Sequence, residues 1–184
     1  PERRGPGRRA GGGDGRLTPP PSALVRSLRA DEVERWRDVR LRALRDSPAA
    51  FGSRYENEVG RPLSDWALWA AGLAAGAGRV MFVLDSGQRW RGCAGGLEEA
   101  GKAWLVSMWV EPPARGQGLG RRLVEAVVGW AAGRGHDRLH LWVVQGNETA
   151  SGLYRSCGFV PTGVSQPVGG GRPDVEQEMV RPFS

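Results

Sequence analysis

The chain has 184 residues, 40% of them hydrophobic and 25% charged, which fits one globular domain able to bury a core without disulfides or a structural metal. Its 29 glycines and 13 prolines follow no G-X-Y period, and no apolar run approaches the roughly 18 residues that span a bilayer, which excludes collagen and membrane-spanning helices. Cys93 and Cys157 make neither a disulfide framework nor a zinc cluster, and no apolar stretch of a secretory leader follows the first arginines. A soluble protein of the reduced cytoplasm is expected, with no metal and no membrane partner.

The formal net charge is +6, and half of it falls on residues 1–16, where five arginines face only Glu2 and Asp14. With Gly11-Gly12-Gly13 and Pro19-Pro20-Pro21, residues 1–22 have almost nothing apolar to bury. A disordered basic tail is expected there, followed by a single domain over 23–184. Such a tail could contact nucleic acid or an acidic partner, but the preferred reading is a plain extension. The body lacks the aromatic–basic surface of an RNA-binding sheet, so nucleic acid is not the expected partner.

A first strand is expected over 23–29. Asp31 and Glu34 form a capping-box-like start for a helix whose Val33, Trp36, Val39, Ala43 and Leu44 share one face, and Pro48 stops it. Arg37 and Arg40 lie close to that apolar face, either snorkelling past the core edge or bordering an anionic ligand. Residues 51–62 read as irregular, and Ser64-Asp65 as the cap of a short helix carrying Trp66, Leu68 and Trp69. The period then changes to strand over 79–84, 90–97 and 103–110, with a turn at Asp85-Ser86-Gly87. An amphipathic helix over 119–133 places Leu119, Leu123, Val127 and Trp130 at helical spacing. A strand over 139–144, a short helix opened by Asn147 and ended by Gly158, and strands over 159–164 and 175–180 complete the pattern. This is a mixed α/β (α+β) fold, a single sheet with crossover helices.

The stretch most informative about chemistry is Arg115-Gly116-Gln117-Gly118-Leu119-Gly120-Arg121-Arg122. It is a Gly-rich turn between a strand end and a helix start, where glycine lets the backbone approach a ligand and free amides meet the positive helix end. That suits a pyrophosphate, with Arg115, Arg121 and Arg122 adding charge. The stretch lacks the Gly-Lys-Ser/Thr ending of a nucleotide triphosphate loop, and G-x-G-x-x-G fails in both registers, at Arg121 and at Leu123.

The turn does fit Arg115-x-x-Gly118-x-Gly120, which resembles the coenzyme A loop of the GNAT N-acetyltransferase superfamily. A second block, Leu139-x-Leu141-x-Val143 followed by Asn147, Ala150, Leu153-Tyr154 and Gly158-Phe159, resembles that family's next strand and helix. The segment from Arg40 to Gly52 resembles its first-helix region in one bacterial branch, so the likeness covers nearly everything except the tail. It implies a mostly antiparallel sheet with splayed central strands, flanked by helices, and acetyl-CoA as cosubstrate. It also implies main-chain contacts from Met108, Trp109 and Val110 to the pantetheine arm, and a pyrophosphate held by Arg115, Gly116, Gln117, Gly118, Gly120 and Arg121. Asn147 would hold the arm beside the thioester, and Tyr154 would protonate the leaving thiolate. Asn147 as a plain helix cap and Tyr154 as a packed core aromatic remain the structural alternatives.

The acceptor implied is a small-molecule or peptide amine, and a homodimer is compatible with the family. A non-catalytic acyl-CoA-binding module is the competing function, because neither residues 103–110 nor residues 138–144 hold a carboxylate to take the amine proton. A water chain, His140, Glu98 and Glu99 remain the alternatives. Cys93 and Cys157 read as small buried apolar residues. Trp66, Trp69, Trp104, Trp109 and Trp142 divide between core and the wall of an acceptor cavity.

Overall fold

The alternation after Arg79 folds as a meander of β2 (Arg79–Asp85), β3 (Trp90–Glu99) and β4 (Lys102–Val110), preceded by β1 (Leu24–Ser27), which pairs with β2. This computed structural model describes residues 23–169 and 173–183, so the expected tail lies outside the described residues. The chain continues through α4 (Leu119–Gly133), β5 (Arg138–Val144), α5 (Glu148–Ser156), β6 (Val160–Pro167) and β7 (Val175–Pro182). Before the meander come α1 (Val33–Asp46), α2 (Tyr55–Val59) and α3 (Leu63–Ala74). All strands join one sheet of order β1-β2-β3-β4-β5-β7-β6, antiparallel except for the β4–β5 pair.

Each face of the sheet carries its own core. On one face Leu123 and Val127 of α4 meet Leu139 and Leu141 of β5, Phe159 and Met179. On the other, Trp36, Val39 and Leu44 of α1 meet Trp66 of α3 and Met81 and Val83 of β2. Complete burial of side chains this size contributes about 1.5–3 kcal/mol each, which is why the helical spacing read from the sequence decides the packing. Trp66 and Trp69 stack at 5.3 Å with the Trp36 ring edge-on, so that pair belongs to the core.

Three local readings are corrected. Glu32, not Asp31, organises the start of α1: its carboxylate accepts from the Arg29 amide at 3.0 Å and from Arg26 at 2.5 and 2.8 Å. Neither Ser64 nor Asp65 caps α3, which begins at Leu63 after Pro62 with no side-chain cap. The 51–62 segment is not wholly irregular, because Glu58 meets Arg40 of α1 and that tertiary contact supports the helical turn α2. A five-residue helix is far too short to persist on local propensity alone.

The sheet also opens where chemistry needs room. β4 and β5 pair only through Ala103↔Leu139, Trp104↔His140 and Leu105↔Leu141, and beyond that point they part. One extra residue on β4, between the Cys93↔Trp109 and Gly95↔Val106 pairs, makes a bulge, with Ser107 at φ +53°. A bulge of this kind bends the strand and re-aims its backbone, here beside the gap.

Candidate active site

A cavity of about 850 Å³ runs through the gap between β4 and β5, from the Gly-rich turn to the sheet face beneath α1. At one end, Gly118 is the N-cap of α4 at φ +74°, and Gly116 has the same left-handed φ. No hydrogen bond joins the amides of residues 116–121 to an acceptor among the described residues. A run of free N–H groups at a helix start is an anion cradle, and the open space around Gly116 and Gly118 lets a ligand reach it. Gly120 serves packing instead: a Cβ there would meet Leu153 at 3.1 Å and Met108 at 3.4 Å.

The expected site residues are brought together unequally. Met108, Trp109, Val110, Arg115, Gly116, Gly118, Gly120, Arg121, Asn147 and Tyr154 all line the cavity. Gln117 does not; its side-chain amide donates to the Pro113 carbonyl at 2.9 Å. Arg115 is a strut as much as an anion ligand, since its Nε donates to the Val110 carbonyl at 2.8 Å and its Nη2 to Asp46. The same Asp46 carboxylate accepts from the Trp109 indole at 2.9 Å. Burial pushes Asp46 up, but Trp109, Ser47 and Arg115 outweigh it and hold the carboxyl below its usual range. Arg121 reaches the Ser156 carbonyl at 2.7 Å, tying α4 to the end of α5.

Asn147 caps α5 by accepting from the Ala150 amide at 3.1 Å, which fixes its carbonyl oxygen and leaves the amide NH₂ for the cavity. Tyr154 sits in the last turn of α5, its ring edge-on to Phe159 at 5.9 Å. Burial pushes its phenol far above the ordinary value of 10, and its hydroxyl makes no hydrogen bond to another described residue. Tyr154 is therefore a protonated donor throughout the physiological range.

Of the other candidates, Arg40 is fully engaged, forming a two-bond pair with Glu58 at 2.8 and 3.0 Å, while its Nη1 reaches Ser107 Oγ at 3.3 Å. Arg37 donates to the Val59 carbonyl. Trp104 and Trp142 stack at 5.9 Å and line the cavity, while Trp109 both lines it and belongs to the core cluster of Trp66. Glu98 is bound by Arg134 and His136, and His140 by Glu178 at 2.9 Å; both are absent from the cavity wall. Glu99 does line it, and so does Glu176, a carboxylate on β7 that lies outside both splayed strands and was not among the expected candidates.

Comparison with known proteins decides the family. The acetyltransferase (GNAT) family model matches residues 30–159. The chain belongs to the GNAT acetyltransferase family. A mycothiol acetyltransferase of Clavibacter sepedonicus is 28% identical over 140 residues, which is 76% of this chain but 43% of that protein. Its counterpart from Jonesia denitrificans is 42% identical over 57 residues, 31% of this chain and 18% of that one. The chain thus spans less than half the length of the curated relatives it matches. Among solved structures, a GNAT-family acetyltransferase of Streptococcus pneumoniae superposes with a TM-score of 0.72 at 19% identity, covering 88% of this chain and 99% of that one, and this likeness supports the GNAT fold. Splayed central strands in a mostly antiparallel sheet are what the resemblance implied, and the β4–β5 gap is that feature.

Proposed function

We propose that the chain is an acetyl-CoA-dependent N-acetyltransferase that passes the acetyl group directly to an amine acceptor, a small molecule or a peptide. One observation carries this reading: the free amides of residues 116–121 and the unpartnered Tyr154 hydroxyl open into the same cavity, joined through the β4–β5 gap. Acetyl-CoA fits that arrangement, since its pyrophosphate suits the amide cradle and its pantetheine arm suits an unpaired strand edge.

Each residue then has a distinct task. The amides of Gly116 and Gly118 with Arg121 hold the phosphate charge, and the backbone of Met108 and Trp109 beside the bulge orients the arm. The Val110 carbonyl is already satisfied by Arg115, so it holds the loop rather than the ligand. Asn147 steadies the arm near the thioester. Tyr154 donates its proton as charge develops on the departing sulfur; its raised phenol means that donation does not titrate at neutral pH.

No helix among the described residues is long and apolar enough to cross a membrane. Two free buried cysteines suit a reducing cytoplasm, and a homodimer is compatible with the exposed edge strand β6. The test is thiol release from acetyl-CoA over spermidine, benzylamine and a peptide with an N-terminal alanine, beside a thermal shift. Acetyl-CoA at a hundredfold excess over Kd adds about 2.7 kcal/mol to stability, whereas ATP and NAD leave the melting temperature unchanged. A shift with ATP and none with acetyl-CoA would overturn the assignment.

A further inference from the structure

An amine that attacks a thioester must lose a proton, and neither β4 nor β5 carries a carboxylate to take it. Most carboxylates near the cavity are already closed by other groups: Glu58 by Arg40, Asp46 by Trp109 and Arg115, Glu98 by Arg134 and His136. His140 is paired with Glu178 and opens on a separate, smaller cavity beside Lys102 and His136. Two carboxylates remain on the wall of the main cavity, Glu99 and Glu176.

Register separates them. β4 and β5 are paired from Ala103↔Leu139 to Leu105↔Leu141 and are open beyond. Glu99 is opposite Lys102, just before the paired segment, at its closed end. Glu176 is opposite Val144, three residues past Leu141, at the open end. Asn147 and α5, which carries Tyr154, follow directly from that end of β5. Successive residues of β7 alternate between faces: Met179 enters the core beneath α4, so Glu176 lies on the opposite face, the side on which α1 and Arg40 border the cavity.

The surroundings of Glu176 leave it free to act. Its strand neighbours are Val144 on β5 and Gln166 on β6, both uncharged. Oε1 accepts from the Gln166 amide at 2.8 Å, and no guanidinium or ammonium among the described residues pairs with either oxygen. Among the described residues of this arginine-rich chain, that carboxylate at the open end of the gap is left unneutralised.

We infer that Glu176 is the proton acceptor of the reaction, an assignment that rests on the acetyltransferase reading above. The amine lone pair forms the C–N bond at the thioester carbonyl, whose π pair moves to oxygen. As that pair returns, the C–S bond breaks and the thiolate takes the Tyr154 proton. The proton released from nitrogen goes to the Glu176 carboxylate and from there restores the Tyr154 phenol. Amine and acetyl-CoA thus become amide and free thiol with no other reactant.

Glu176→Gln keeps the shape and still accepts from Gln166, so the fold is retained and can be checked by melting temperature. With whichever panel amine the wild type uses best, kcat at saturating substrates should fall about 10²-fold or more. Acetyl-CoA affinity should not change, and Glu176→Asp should recover part of the rate. A folded Glu176→Gln enzyme with wild-type kcat, or one in which only the acceptor KM rises, overturns the inference. So does a fall of kcat in Glu99→Gln larger than that in Glu176→Gln. A wild type that releases no thiol with any panel amine overturns the acetyltransferase reading itself, and with it the inference.

Discussion

The Asp46 carboxylate, at the last residue of α1, holds the Arg115 guanidinium at the start of the Gly-rich turn. Because Arg115 also donates to the Val110 carbonyl, one side chain joins α1, the end of β4 and the phosphate loop. The two bonds leave the guanidinium from different nitrogens, a geometry that a lysine ammonium cannot reproduce.

Arg115→Lys is therefore expected to behave as a real loss. The pair is partly exposed, so stability should fall by only about 1 kcal/mol. Acetyl-CoA affinity should weaken by about tenfold, because the amides of the turn are no longer held in place; calorimetric titration and melting temperature measure both. An Arg115→Lys protein with unchanged affinity would reduce the strut to a surface ion pair.

Gly118 separates backbone from ligand effects. Its φ of +74° is unfavourable for a side chain, although nothing lies within 4 Å of the position a Cβ would take. Gly118→Ala should thus cost about 1–2 kcal/mol through the backbone alone, and Gly118→Asn less, since asparagine tolerates this region. Gly118→Glu adds a carboxylate where the phosphate charge belongs and should abolish acetyl-CoA binding while the protein still folds. Binding retained by a folded Gly118→Glu variant would show that the turn is only a connector.

The same turn shows how much a sequence makes legible. Arg115, Gly118 and Gly120 stand at fixed spacing beside a helix whose Leu119, Leu123 and Val127 repeat at the helical period, so loop and helix announce each other. Asn147 and Tyr154 are local to a second such block. Glu176 is different, because it reaches the site only when β7 inserts between β5 and β6, a pairing order that no local pattern encodes. The Ser107 bulge and the α2 turn likewise depend on partners far away in the chain, at Cys93 and Arg40.

Acid sensitivity should concentrate where β1, α1 and β2 meet. Burial pushes Asp85 up, but the Gly87 amide and the Arg26 and Arg35 guanidiniums outweigh it and hold the carboxyl at about 2, against an ordinary 3.8. Glu32 is also lowered, chiefly by Arg26. A depressed carboxyl contributes its stability in full above the unfolded value and loses it as pH falls through the folded one. Stability should therefore hold at pH 5 and above and decline between about pH 4 and pH 2. Asp85→Asn should be less stable at pH 7 but lose less over that window. Urea midpoints at pH 7, 4 and 2.5 for both proteins measure this, and parallel losses would remove Asp85 from the acid transition.

Tyr154→Phe tests the donor at the other end of the proposed proton path. The change removes a hydroxyl that has no protein hydrogen-bond partner among the described residues and keeps the ring against Phe159, so the core should repack without loss. Loss of a general acid typically slows the chemical step about 10²- to 10⁴-fold, and single-turnover rates measure it even where product release limits kcat. Acetyl-CoA affinity should stay close to wild type. Because burial holds the phenol far above neutral pH, Tyr154 stays a protonated donor across that range, and its loss should leave the pH dependence of the residual activity unchanged. An unchanged single-turnover rate would make Tyr154 a core aromatic. A fall in rate matched by a proportionate loss of affinity would place it in binding instead.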